Sequence, residues 1–262
     1  MNLNYNVAAF DAQSGCRTGH DDRRIVVMKM QKLAITWYGH STFVITTPGG
    51  KRIVTDPFLE QNPVCPPNMK KITAADVILV SHGHADHTSD VPAVSRATNA
   101  PIVAVYELAL WLERKGLANV QGMSIGGTVR VAGLEISMVP AIHSSSVVEN
   151  ETTVYLGQPA GFVVRMEDEQ ALYFAGDTDV FGDMRLIAEM YAPKIAFLPI
   201  GDHFTMSPVG AAVASRLLGV RQIVPMHYGT FPVLTGTPEQ LKKLVEPHGV
   251  DVLTLKPGET AQ

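Results

Sequence analysis

His82-Gly83-His84-Ala85-Asp86-His87 packs four potential metal ligands into six residues, directly after the apolar run Val77-Ile78-Leu79-Val80. Such a run reads as a buried strand, and the loop leaving it opens at a sheet edge, where Gly83 and Ala85 allow a tight backbone turn. Neutral imidazole and carboxylate together suit zinc, manganese, iron or nickel, and two ions sharing the loop would explain the crowding. The competing reading is a polar turn with solvent-facing histidines. It fits a lone histidine better than three histidines and an aspartate at this spacing.

Further candidate ligands follow short apolar runs elsewhere. His143 comes after the strand-like segment 134–140 and opens the serine-rich stretch His143-Ser144-Ser145-Ser146. Asp177 lies in Phe174-Ala175-Gly176-Asp177-Thr178-Asp179, and His227 in Ile223-Val224-Pro225-Met226-His227-Tyr228-Gly229. Taken singly, either histidine is as readily a hydrogen-bonded structural residue, and Asp177 a turn former beside Gly176. Their shared placement past strand ends would let one sheet edge gather all of them.

These residues resemble the metallo-β-lactamase superfamily, whose signature is His-x-His-x-Asp-His followed by a distant His, Asp and His. The nearer resemblance is to its metal-dependent hydrolases similar to L-ascorbate-6-phosphate lactonase and, more remotely, to N-acylphosphatidylethanolamine-hydrolysing phospholipase D. It rests on Trp37-Tyr38-Gly39-His40-Ser41-Thr42, Asp56-Pro57-Phe58, Gly176-Asp177-Thr178-Asp179, Gly201-Asp202-His203-Phe204-Thr205-Met206 and Met226-His227-Tyr228-Gly229-Thr230-Phe231-Pro232, and spans roughly residue 33 to the C-terminus. The resemblance implies an αββα sandwich, an α/β (α+β) fold of two mixed sheets flanked by helices. It also implies two divalent ions, zinc foremost, with manganese, iron or nickel as alternatives. His82, His84 and His143 would hold one, Asp86, His87 and His227 the other, and Asp177 would bridge them. His203 departs from the pattern, which has asparagine there more often.

Two divalent ions carry +4, Asp86 and Asp177 reduce this to +2, and a bridging hydroxide leaves about +1, so the centre would attract anions. Polarisation of a carbonyl or phosphoryl oxygen and attack by that hydroxide make hydrolysis the natural chemistry. Di-iron relatives that reduce oxygen carry glutamate where this chain has Ala85. The leading expectation is a hydrolase of a small anionic ester or lactone, including a sugar-phosphate lactone. The alternatives are a phosphodiesterase acting on a lipid or nucleotide, and a metal-binding regulatory protein without turnover. Asp86, His203 and His40 are the candidates for direct participation, the two histidines by binding substrate or protonating a leaving group. Asp56 could brace the metal loop from behind or be a turn residue before proline. Ser144, Ser145 and Ser146 could meet an anion, although a solvated loop is the default reading. His20 and His248 are assigned nothing.

The chain has 262 residues, 46% of them hydrophobic, enough for one large core. The expected organisation is a weakly patterned extension over 1–30 and one hydrolase domain over 31–262, with Met28 or Met30 as a candidate native start. A net charge of −4 and the lack of a Lys/Arg stripe argue against nucleic acid, and Lys70-Lys71 and Lys242-Lys243 read as exposed pairs. No run is long enough to span a membrane and no secretory signal is evident, so a cytoplasmic site is expected, with a homo-oligomer allowed. Cys16 and Cys65 suggest neither a disulfide framework nor a metal site.

Strands are expected over 33–38, 42–47, 51–55, 101–105, 161–166, 171–175, 194–199, 222–225 and 250–255, with a hairpin inside 129–139. Helices are expected over 87–98, 107–115, 184–191, 208–218 and 238–246.

Overall fold

A computed structural model describes residues 32–262. The 1–30 extension, Cys16, His20 and the Met28/Met30 start lie outside the described residues. Strands β1 (Ala34–Gly39), β2 (Thr42–Thr46), β3 (Arg52–Thr55) and β4 (Val77–Leu79) are followed by helices α1 (Ala85–Thr88) and α2 (Val91–Thr98). Then come β5 (Ile102–Val105), α3 (Tyr106–Arg114), β6 (Val120–Met123), β7 (Thr128–Val131), β8 (Leu134–Pro140), β9 (Ser146–Glu149), β10 (Thr152–Tyr155), β11 (Ala160–Arg165) and β12 (Ala171–Phe174). The chain ends with α4 (Met184–Tyr191), β13 (Ile195–Pro199), α5 (Pro208–Leu218), β14 (Gln222–Met226), α6 (Pro238–Val245), β15 (Asp251–Val252) and β16 (Thr260–Ala261).

The strands form two seven-stranded sheets, ordered β16-β1-β2-β3-β4-β5-β6 and β15-β14-β13-β12-β11-β8-β7. Each is mixed: β3 to β6 run parallel in the first and β12 to β15 in the second, with antiparallel strands completing both. The faces meet through large apolar side chains, such as Phe43 of β2 against Phe197 of β13 with ring centroids 5.0 Å apart. Helix α3 covers the β5–β6 side of one sheet, and α5 and α6 cover β13 and β15 of the other. This is the four-layer αββα sandwich expected from the sequence.

Burial on both faces explains why the parallel strands are apolar runs rather than alternations: β4 and β5 are buried at every position. Local signals set the helix ends. Ser207 caps α5 by accepting the Gly210 N–H, Pro208 begins the helix, and Gly219 closes it in the left-handed conformation. Thr237 and Gln240 form a reciprocal capping box at α6.

Four expectations are corrected. The single helix over 87–98 is two, α1 and α2, because Pro92 sits in the first turn of α2 and cannot donate a backbone N–H to the turn before it. The serine-rich stretch after His143 is not a plain loop but leads into the β9–β10 hairpin, a two-stranded sheet of its own. The strand over 250–255 shortens to β15, and β6 was not expected because Val-Gln-Gly-Met lacks a clear period. Lys70 is not idle surface charge, since its ammonium donates to the carbonyls of Leu59, Glu60 and Asn62 at 2.7, 3.0 and 2.7 Å. Cys65 is buried, and none of the described helices is long and apolar enough to cross a membrane.

Candidate metal centre

The candidate residues all lie just past strand ends on one edge of the sandwich. His40 follows β1, Asp56 follows β3, and the segment 82–87 follows β4; His143, Asp177, His203 and His227 follow β8, β12, β13 and β14. Carboxyl ends of parallel strands are where open α/β sheets place their sites. The backbone there is unusual: His40, Asp56, Asp202, His203 and His227 all have positive φ, at 56, 36, 63, 57 and 55°. Left-handed non-glycine residues cost energy and persist where surrounding contacts over-determine them, so their gathering at one edge marks a site.

Asp177 lies at the middle of the cluster. Its Oδ2 is 2.9 Å from His227 Nε2, 3.3 Å from His87 Nε2, 3.7 Å from His143 Nε2 and 3.9 Å from His82 Nε2. On one flank, His82 Nε2 and His143 Nε2 approach His84 Nδ1 at 3.0 and 3.3 Å, so the three imidazoles can share one cation. On the other, Asp86 Oδ2 lies 4.0 Å from His87 Nε2 and 3.9 Å from His227 Nε2, and His40 joins this second group. All seven residues expected as ligands are thus brought together. His82, His87, Asp177 and His227 are buried, whereas His84, Asp86 and His143 are partly exposed and form the open side.

A carboxylate network supports the cluster from behind. Asp56, fully buried, accepts the Ser81 N–H at 2.7 Å and the Ser81 hydroxyl at 2.6 Å, and its Oδ2 lies 2.8 Å from His87 Nδ1. Ser81 Oγ is 3.0 Å from His82 Nδ1. With their Nδ1 atoms held in this way, His82 and His87 present Nε2 toward Asp177, as outer carboxylates do for metal-ligating histidines. Ser145 Oγ accepts the Gly83 N–H, and Leu156 packs so tightly on Gly83 that a Cβ there would lie 2.6 Å from its Cδ1. Ser81 and Thr230 were not singled out by the sequence, adjacency to a ligand being the one signal Ser81 offered; Ser145, read there as a possible anion contact on a solvated loop, is instead buried and braces Gly83.

Electrostatics and unsatisfied atoms both fit cation binding. Burial holds His82, His84 and His143 below the usual imidazole range, in the neutral form that ligates metal. Burial pushes His87 down as well, but Asp177, Asp56 and Asp86 around it lift it well above that range. The pocket is therefore built to hold positive charge. Burial would raise Asp177, yet His227 and His87 pull it well below the normal carboxylate value, so it is ionised at neutral pH. His87 Nε2 and Asp177 Oδ1 are buried without a hydrogen-bond partner, a cost of about 1–3 kcal/mol each that a divalent ion would remove.

The other candidates sit differently. His40 is fully buried, with Nε2 3.0 Å from Asp86 Oδ2. His203 is exposed on the loop after β13, edge-on to the Phe204 ring at 4.4 Å. That loop is tied to the Asp177 turn, because Met206 N–H donates to the Thr178 carbonyl at 3.0 Å. Ser144 Oγ lies 3.4 Å from His84 Nε2 on the open side. His248 ends a short 3-10 turn, away from these contacts.

Known proteins share this architecture. Residues 51–228 match the family model described as the beta-lactamase superfamily domain. A UPF0173 metal-dependent hydrolase from Rubrobacter xylanophilus is 49% identical over 228 residues, which cover 86% of this chain and 94% of the relative. Another from Koribacter versatilis is 45% identical over 233 residues, 89% of this chain and 99% of that protein. Among solved structures, a metallo hydrolase from the archaeon Ignicoccus hospitalis superposes with a TM-score of 0.77 at 36% identity, over 87% of this chain and 97% of that one. With such identity over nearly the whole length of these relatives, the chain belongs to the metallo-β-lactamase superfamily and, within it, to the metal-dependent hydrolases of family UPF0173.

Proposed function

We propose that this hydrolase works with two divalent ions and cleaves a small anionic ester or lactone, a sugar-phosphate lactone being the first to try. The observation that carries the reading is Asp177 Oδ2, which lies 2.9 to 3.9 Å from four imidazole Nε2 atoms where the two flanking groups meet. His82, His84 and His143 would hold one ion and Asp86, His87 and His227 the other, with Asp177 contributing to both. Zinc suits this nitrogen-rich set, and manganese, iron and nickel remain compatible with it. When bound, the divalent pair supplies Lewis acidity toward a carbonyl or phosphoryl oxygen, water acidified to near-neutral pH, and positive charge beyond what Asp86 and Asp177 neutralise.

The chain's own groups do the rest. The buried ligands and the Asp56 network keep donor atoms in place before substrate arrives, which avoids reorganisation during the reaction. Substrate enters over His84, Asp86 and His143, where the cluster is open, and the exposed Ser144 hydroxyl beside His84 is available to hydrogen-bond a polar substituent. His203, on the loop anchored to Thr178, is the candidate proton donor to the leaving group. Asparagine tolerates the left-handed backbone at this position, so His203→Asn removes the imidazole at little structural cost.

The test is a panel of lactones, esters and phosphodiesters with graded leaving groups, assayed on wild type and His203→Asn. Anionic lactones or esters are expected to exceed neutral analogues and phosphodiesters by at least about tenfold in kcat/KM, about 1.4 kcal/mol. His203→Asn should slow substrates with high-pKa leaving groups most and activated nitrophenyl esters least. Preference for phosphodiesters would move the substrate class, and equal losses across the series would remove His203 from proton transfer.

A further inference from the structure

The ligand assignment above gives His40 no ion, yet this fully buried imidazole lies against the second group of ligands. It stands in the tight β1–β2 turn. There Gly39, at φ 98°, has no room for a side chain, since a Cβ would come within 2.7 Å of Val64 Cγ2. His40 Nε2 is 3.0 Å from Asp86 Oδ2, its Nδ1 is 3.0 Å from Thr230 Oγ1, and its carbonyl accepts the His227 N–H at 3.2 Å. Asp86 extends from the first sheet and His227 from the second, so one residue touches a ligand from each.

The hydrogen-bond distances favour one placement of the ring proton. Thr230 Oγ1 is 3.0 Å from His40 Nδ1 but 3.4 Å from the Tyr228 carbonyl, so Nδ1 is the better-placed acceptor for the hydroxyl proton. The proton of a neutral ring then lies on Nε2, directed at the Asp86 carboxylate. The opposite tautomer would set a nitrogen lone pair against a carboxylate oxygen at 3.0 Å. Phe58 and Phe231 meet the ring edge-on at 5.7 and 5.6 Å and wall it from water, so solvent cannot replace the bond once it is lost.

We infer that His40 is a positioning residue for the second metal position, its Nε2–H orienting the Asp86 carboxylate while its carbonyl holds the backbone of His227. The inference rests on the two-ion reading. It assigns His40 to neither substrate nor leaving group, both of which would need it exposed.

The test compares His40→Phe, His40→Gln and Thr230→Val with wild type by titrating zinc against a competing chelator, without any assay of turnover. His40→Phe is expected to weaken the second ion about 10- to 100-fold and leave the first unchanged. His40→Gln, whose amide N–H replaces Nε2–H but cannot act as an imidazole ligand, should restore most of that loss. Both variants carry the same left-handed backbone strain at φ 56°, so it cancels between them. Thr230→Val, which keeps the ring but frees its tautomer, should weaken the second ion several-fold. Second-ion affinity as poor in His40→Gln as in His40→Phe would overturn the inference, because the imidazole would then be needed as a ligand rather than as an N–H donor. Wild-type affinity in His40→Phe would overturn it too, and should that variant not fold, unchanged affinity in Thr230→Val would do so. A wild-type protein that binds a single ion would instead contradict the two-ion reading itself.

Discussion

Asp177→Asn is expected to lower kcat/KM by about 10³-fold or more, equivalent to about 4 kcal/mol of transition-state stabilisation, while the fold survives. The substitution keeps the volume and one acceptor oxygen but removes the negative charge at the point where four imidazole nitrogens converge within 2.9 to 3.9 Å. His227 and His87 hold this carboxylate ionised despite its burial, so the charge is present throughout the neutral range and is lost outright in the variant. Turnover and metal content should fall together, with circular dichroism unchanged. A variant that retained both ions and activity within tenfold of wild type would show that Asp177 does not join the two positions.

Asp56→Ala is expected to act first on stability. It would leave three buried donors, Ser81 N, Ser81 Oγ and His87 Nδ1, without the carboxylate that they reach at 2.7, 2.6 and 2.8 Å. Breaking a buried charged pair costs about 3–5 kcal/mol, which for a chain of this size is a fall in Tm of about 6–20 °C. Melting in chelator separates this effect from metal loss. Asp56→Asn, which keeps the shape and one acceptor, should fall less far. A shift below about 2 °C for Asp56→Ala would mean that the network does not hold Ser81 and His87 in the way described.

The centre was legible in the sequence to the extent that its chemistry is local. The segment 82–87 announces itself because four donors crowd a loop after an apolar run, and His143, Asp177 and His227 stand just past strands whose apolar character shows in the residues. The helices expected over 184–191, 208–218 and 238–246, the last of which ends at Val245, were readable because cap residues and proline mark their starts or periodicity marks their faces. What escaped depends on long-range contact. His40 meets Asp86 across 46 positions and Thr230 across 190, and no local pattern distinguishes a buried strut from an exposed proton donor. The β9–β10 hairpin escaped because its strands are short, largely exposed and joined through Asn150 and Glu151, whose left-handed φ values of 49 and 63° are typical of tight turns but not required by those residue types. The break within 87–98 follows from Pro92, which suits the first turn of a helix and so starts α2 there, leaving the residues before it to α1.

The two-ion reading is decided by metal content. Chelator-stripped protein, reconstituted with zinc or manganese, freed of excess ion and measured by atomic emission against protein concentration, is expected to hold close to two ions per chain, because His82, His84 and His143 form one donor group, Asp86, His87 and His227 form part of another, and Asp177 Oδ2 lies within 3.9 Å of imidazoles from both. Saturation at one ion per chain would contradict the account and leave Asp86 and His227 to be explained as something other than ligands.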